Sequence, residues 1–365
     1  MTTPSLTHNF TTATDGTQLS YYSIGSGPGI VVVHGAMSFA LTHKDLAVAL
    51  SPYYTVHIIS RRTRGLSGPY PPSITNSTSA LCINSPTDSS TAPDTKQTRQ
   101  RTYSPSYSST VLQTDVSDLH SLITATSAQH IISISSGALI TLSYLLTYPP
   151  SPTTPNPSPI QKTILFEPPL AFTDLPIPAR QLNQGGLGVY EERRAAGDTI
   201  GALVAAMKVT GMVSRWVPDW LARMGFERRV ASQRAKVLKE QADGKATGEG
   251  DDGNGEGGNG GVDAGEGVNN FLGLVQALRY DFCVGEGMVG DSGRFRAITG
   301  EGVLLMGGTE SQGYLKEGMD VLGGLVEGSR KVVIQGVGHN ALVQRERGGK
   351  PEAAVEAIRE FFGEG

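Results

Sequence analysis

Cysteine is scarce in this chain: Cys82 and Cys283 are the only two among 365 residues. Two thiols so far apart make neither a disulfide framework nor the spacing of a metal-ligand set. No metal and no organic cofactor is expected. Excess charge is lacking as well, the formal net charge being −4. That balance argues against a nucleic-acid partner and leaves no basic patch for a membrane surface. No apolar run approaches the length of a membrane span. Met1 to Gly16 is polar, with neither a basic start nor an apolar core, so no signal peptide is expected. These absences predict a soluble, cytoplasmic protein, with its oligomeric state left open.

What the chain has instead is a series of short apolar runs punctuated by glycine. Gln18 to Ile24 reads as a strand leading into the turn Gly25-Ser26-Gly27-Pro28-Gly29. Gly29 to Ala36 is a second, buried strand ending in His34-Gly35, and Thr55 to Ile59 a third, with a short helix over Lys44 to Leu50 between them. Leu112, Val116, Leu119 and Ile123 recur at helical spacing. Further strands are expected at Ile131-Ile132, Thr163 to Phe166, Val303 to Gly308 and Lys331 to Ile334. A closing helix runs from Pro351 to Phe362. Alternating strands and helices predict an α/β class with a mostly parallel, doubly wound sheet.

Three stretches break that alternation. Residues 71–107 are rich in Ser, Thr and Pro and poor in apolar side chains, which predicts a disordered surface insertion. Residues 151–159 form another Pro-rich loop. Residues 171–294 lack strands; Tyr190 to Met207 and Phe271 to Arg279 read as helices, with Met212, Trp216, Trp220 and Met224 between them. Inside this insert, residues 243–268 are a Gly/Asp/Glu/Asn tract expected to be a flexible linker. The expected organisation is one core from residues 1–170 and 295–365, interrupted by a helical insert over 171–294.

The chemistry concentrates at Ser133-Ile134-Ser135-Ser136-Gly137. It follows the strand Ile131-Ile132 and opens the apolar stretch Ala138 to Leu146. Strand, sharp turn on one serine, then helix is the geometry of a nucleophile elbow, usually written G-x-S-x-G. Ser133 replaces the first glycine and Gly137 keeps the second. A serine N-cap is the plainer alternative. A serine nucleophile needs a base within reach, and His339, in a tight glycine loop after the last strand, is the histidine best set for that task.

With His34-Gly35, the Ser135 elbow, late acids and His339 in that order, the chain resembles the α/β-hydrolase superfamily. The resemblance covers roughly residues 10–170 and 295–363. It implies an α/β-hydrolase fold with an inserted α-helical cap over 171–294, and a triad of Ser135, an acid and His339. It also implies an oxyanion hole from the backbone N–H groups of Ser136 and Ala36, with Met37 as the alternative to Ala36. Two acids compete. Counting from the glycines that end the penultimate strand selects Glu310 or Ser311. A second arrangement in the superfamily places a Glu at the end of the strand after the elbow helix, which is Glu167. Ser135-Ser136-Gly137-Ala138 followed by Phe166-Glu167-Pro168-Pro169 is locally similar to the zearalenone-hydrolysing lactonases. Glu167 is therefore the expected acid, with Glu310 as the alternative.

The loop from Ser60 to Gly68 is similar to the superfamily pattern Asp-x-Arg-Gly-x-Gly-x-Ser. It departs at Ser60 and at Thr63, which puts its local geometry in question. The resemblance implies hydrolysis of an ester or lactone of a small, largely apolar substrate through an acyl-enzyme. Its rivals are a cofactor-free C–C hydrolase or lyase on the same fold, and a ligand-binding protein with little turnover. An intact Ser–His pair favours the enzyme.

Overall fold

Short runs of aliphatic residues, buried along almost their whole length, set the centre of the sheet. In the computed structural model β3 (Gly29–Val33), β4 (Thr55–Ile59), β7 (His130–Ile134), β8 (Lys162–Phe166) and β9 (Val303–Gly308) are such runs. Strands buried on both faces read as continuous apolar segments, as parallel sheets require. The structure describes residues 5–75, 81–84, 100–149, 158–170, 186–214, 216–228, 230–231, 262–290 and 292–363.

With β1 (Thr7–Thr12), β2 (Gln18–Ile24) and β10 (Arg330–Ile334), these strands make an eight-stranded sheet in the order β1-β2-β4-β3-β7-β8-β9-β10. The β1–β2 and β2–β4 pairings are antiparallel and all others parallel. Helix Lys44–Leu50 lies between β3 and β4 in sequence, and helices Pro105–Thr126 and Ser136–Thr147 bracket β7. The strand order reverses at β3, which pairs with β4 on one side and β7 on the other. Loops leaving β3 and β7 at such a switch point diverge and open a crevice at the carboxyl edge of the sheet.

The chain divides into two compact units, one of Met1–Cys82, Tyr103–Arg180 and Arg279–Gly365, the other of Ile83–Thr102 and Gln181–Leu278. Residues 279–294, expected in the helical insert, thus belong with the sheet. Tyr280 stacks on Tyr70 at 4.1 Å, and Asp281 pairs with Arg61 and Arg64, which accounts for the shift.

Several expectations are corrected. The sequence 71–107 is not one disordered insertion. Pro72–Thr75 is helical, Leu81–Asn84 (β5) pairs with Gln100–Tyr103 (β6), and the long helix starts at Pro105. Ile74, Tyr103 and Tyr107 are buried, and the Tyr107 hydroxyl donates to the Ile74 carbonyl at 3.1 Å. A few aromatic and aliphatic anchors offset the ordering entropy that the average composition suggested was unmet. The rest of that stretch, 76–80 and 85–99, lies outside the described residues.

The single helix expected from Tyr190 to Met207 is two, Gly186–Ala195 and Thr199–Val209. Gly197 takes φ 76, a helix-ending conformation, and the Asp198 side chain caps the second helix by accepting from Gly201 N–H at 3.0 Å. The linker expected over 243–268 is corrected at its end. Residues 262–268 are the first turns of helix Val262–Gly287, which extends well beyond the expected 271–279. Once its buried half is formed, each added residue gains a hydrogen bond without a new nucleus. Residues 243–261 lie outside the described residues, as do most of the loop 151–159 and residues 171–185.

Candidate active site

The elbow forms where β7 hands over to helix Ser136–Thr147. Ser135 N–H donates to the Phe166 carbonyl of the neighbouring strand at 2.9 Å, and its φ of 54° with ψ −124° lies where side chains other than glycine are strained. Such strain persists only when the surroundings over-determine it. The surroundings here are tight. A Cβ on Gly137 would sit 2.6 Å from both the Val33 and His34 carbonyl oxygens, so only glycine lets the helix pass β3. A Cβ on Gly35 would sit 2.7 Å from Ser135 Cβ and 3.4 Å from its Oγ. The loop His34-Gly35-Ala36 therefore lies directly against the serine.

Glu167 follows β8 and is fully buried, with φ 47° and its N–H donating to the Met306 carbonyl at 3.1 Å. Its Oε1 accepts from Gly308 N–H at 2.8 Å, and its Oε2 lies 2.6 Å from Nδ1 of His339, which follows β10 through Gly336-Val337-Gly338. Burial pushes the carboxyl pKa up. The hydrogen bond and charge of His339 outweigh burial, so the group stays below its ordinary value and ionised. The alternative acid, Glu310, is exposed; its backbone N–H donates to the Val337 carbonyl at 2.9 Å. Among the described residues no hydrogen bond joins the Glu310 carboxylate to His339, and none joins Ser135 Oγ to His339. A Ser–His contact of this kind commonly tightens only when substrate binds.

The two expected backbone donors are oriented by carbonyls. Arg61 N–H donates to His34 Nε2 at 3.1 Å, so the ring proton sits on Nδ1 and donates to the Gly35 carbonyl at 2.8 Å. Burial, with Arg64 and Arg61 nearby, holds the His34 pKa well below its ordinary value, and the ring is neutral. Gly35 C=O and Ala36 N–H belong to one planar trans peptide and point opposite ways. Fixing the carbonyl on the His34 side therefore aims Ala36 N–H away from that ring. In the same manner Ser135 C=O accepts from Ala138 N–H at 2.8 Å, which turns Ser136 N–H out of the helix N-terminus. First-turn N–H groups have no partner within their helix and carry its positive end.

No protein-family model and no curated protein matches this sequence. Solved structures do. An alpha/beta hydrolase from Sphaerobacter thermophilus superposes with TM-score 0.60 at 21% identity, covering 97% of this chain and 100% of its own. An alpha/beta hydrolase enzyme from a Medee basin deep-sea metagenome library gives 0.56 at 14%, covering 98% of each chain. An esterase from Exiguobacterium antarcticum gives 0.53 at 17%, covering 96% and 99%.

The fold is that of the α/β hydrolases.

In this α/β-hydrolase fold, the loop after β4 holds residues that the sequence did not single out. Thr63 takes φ 63° where the superfamily pattern has glycine, and Ser60 Oγ accepts from Ala40 N–H at 3.2 Å where the pattern has Asp. Arg62, at the pattern's Arg, donates to Asp118 at 2.6 and 2.8 Å and to Asp15 at 2.8 and 2.9 Å.

Arg61 and Arg64 occupy the pattern's free positions and are nearly completely buried. Arg61 donates through Nη1 to Asp281 Oδ1 at 2.7 Å and through Nη2 to Asp115 Oδ2 at 2.7 Å; Arg64 reaches Asp281 Oδ2 at 2.5 Å. Tyr70 donates to the other oxygen of Asp115 at 2.7 Å. Ser136 Oγ joins this cluster, donating to Asp281 Oδ1 at 2.8 Å and accepting from Arg61 at 3.3 Å. Burial pushes the Asp281 pKa up, but Arg64 and Arg61 outweigh it and hold the group below its ordinary value. The Ser136 hydroxyl is thus committed to an ionised carboxylate, whereas Ser135 carries the strained elbow. The readable signal for this cluster was three arginines among four residues directly after a core strand. Buried guanidinium groups need carboxylate partners, but nothing in the sequence says which ones.

Proposed function

We propose that this protein is a serine hydrolase that cleaves an ester or lactone bond of a small, largely apolar substrate through an acyl-enzyme. The observation that carries it is Glu167 Oε2 at 2.6 Å from His339 Nδ1, on the sheet edge where Ser135 occupies a strained strand-to-helix turn. With Nδ1–H bound to Glu167, Nε2 of His339 is left with the lone pair, which makes it the base. Ser135 Oγ attacks the carbonyl carbon as its proton passes to His339 Nε2. The oxyanion is held by Ala36 and Ser136 N–H. Collapse expels the alcohol oxygen, which takes the proton from His339, and water repeats the sequence to release the acid.

The test is a panel of p-nitrophenyl esters of graded chain length with several macrolactones, beside a fluorophosphonate probe. Ser135→Ala is expected to lose turnover by roughly a million-fold, as other nucleophile deletions do, and to lose labelling. Labelling that survives in Ser135→Ala but vanishes in Ser136→Ala would move the nucleophile one residue on. Turnover of C–C substrates in preference to all esters would replace the esterase reading with its rival.

A further inference from the structure

Resting on the serine-hydrolase reading, we propose that Arg61 and Asp281 form a positioning pair that ties both oxyanion donors to one buried ion cluster. Two branches leave Arg61. Its backbone N–H holds His34 Nε2, the His34 ring holds the Gly35 carbonyl, and that carbonyl fixes the Ala36 N–H on the same peptide. Its guanidinium, shared with Asp281, holds the Ser136 hydroxyl, on the residue that carries the second N–H. The two donors sit on loops from different strands, β3 and β7, and hydrogen bonds within either loop cannot set their separation. Arg61 reaches both.

The cluster is electrically balanced, with Arg61 and Arg64 against Asp115 and Asp281 and a neutral His34. It therefore contributes position rather than net potential at the oxyanion. Burying two arginines and two aspartates gives little net stability over a well-packed apolar cluster. The return is geometric: the planar guanidinium of Arg61, with Asp281 on one Nη and Asp115 on the other, fixes its partners in direction as well as distance. Ser136 Oγ has a carboxylate acceptor and a guanidinium donor, so its rotamer is set from both sides. That in turn stiffens the first turn of the elbow helix, where the helix supplies no N–H partner.

Ser136→Ala tests the proposal, because it removes one hydroxyl and leaves the Arg61–Asp281 pair and the backbone N–H in place. Losing an oxyanion donor outright costs roughly 10²–10³ in kcat, so a donor left in place but loosened should cost about 10-fold. The expected pattern is a lower kcat at unchanged KM, with affinity for a trifluoromethyl ketone, which binds as an oxyanion adduct, falling by the same factor. Ser136→Thr, which keeps the hydroxyl, should recover most of both. Asp281→Asn should reduce kcat further and also lower Tm. A merely structural cluster would lower Tm while leaving the kcat and the inhibitor affinity of Ser136→Ala at wild-type values, and that result overturns the proposal. A change in KM alone overturns it too. A wild-type protein that is inert to esters and unlabelled by fluorophosphonate sinks the hydrolase reading, and the positioning role with it.

Discussion

Among the described residues five non-glycine side chains adopt positive φ, and four of them, Met37, Thr63, Ser135 and Glu167, follow the carboxyl ends of parallel strands. Strain gathered at one place is a mark of residues held for a task rather than for stability. Glu167 illustrates how it is sustained: its N–H is anchored on β9, one carboxylate oxygen on Gly308 N–H, and the other on His339. In the proposed mechanism its role is to keep the proton on Nδ1. Replacing it by the amide keeps the shape but lets the ring adopt the wrong tautomer, which in a comparable triad costs about 10⁴ in kcat. Glu167→Gln is therefore expected to be nearly inactive with KM little changed, while Glu310→Gln, at an exposed position whose carboxylate makes no hydrogen bond to His339 among the described residues, keeps most activity. Kinetics on one ester substrate decide it, and the opposite ranking would transfer the acid to the loop after β9.

Helix Ser136–Thr147 is the element on which the site depends, and its position is set by contact with β3 rather than by propensity. Gly137 is the crossing point. Gly137→Ala would normally favour a helix, since alanine is the better helix former. Here the added Cβ meets two backbone oxygens, those of Val33 at the end of a central strand and of His34 directly after it. We expect a loss at or above the top of the ~1–3 kcal/mol range for overpacking, read as a lower Tm together with a lower rate of fluorophosphonate labelling, because the displaced helix carries Ser136 N–H with it. A Tm equal to or above wild type would show that propensity outweighs the contact. The same opposition of local and tertiary forces explains residues 72–75 and 100–107, where a few buried aromatic side chains order a segment whose average composition argues against order.

At the scale of the molecule, the first unit buries several neutral histidines. Burial lowers His43, His57 and His130 to about 4, and holds His34 well below its ordinary value. In the unfolded chain each titrates near its ordinary value of about 6.5. Between these values the unfolded state binds more protons, so stability falls as pH drops from about 6.5 toward 4, each group adding up to ~1.4 kcal/mol per pH unit. Glu167 acts in the same direction: its folded pKa is depressed, so its contribution is present above the ordinary carboxylate range and is lost as pH falls through the lowered value. Melting curves from pH 7.5 down to 5 should show Tm flat at first and then falling steadily below about 6.5. A Tm constant to pH 5 would mean that these histidines find charged partners in the folded state.

The sequence by itself determined the strands β2, β4 and β9 to the residue, the start of β3, the helix Lys44–Leu50, and the order of His34, Ser135, Glu167 and His339 along the chain. These are legible because buried parallel strands are unbroken apolar runs and because an elbow needs small residues at fixed offsets. β1 was not legible, being a polar and half-exposed antiparallel strand without an apolar face to announce it. Glu167 was preferred over Glu310 on a local resemblance alone, since both follow strands that end at the same edge; the register of β8 beside β9 and the return of the chain after β10 decide which carboxylate meets His339. The ion cluster around Arg61 was beyond reach for a related reason. Its partners Asp115 and Asp281 lie 54 and 220 residues away along the chain, and pairing across such separations is fixed by packing, which sequence spacing does not encode.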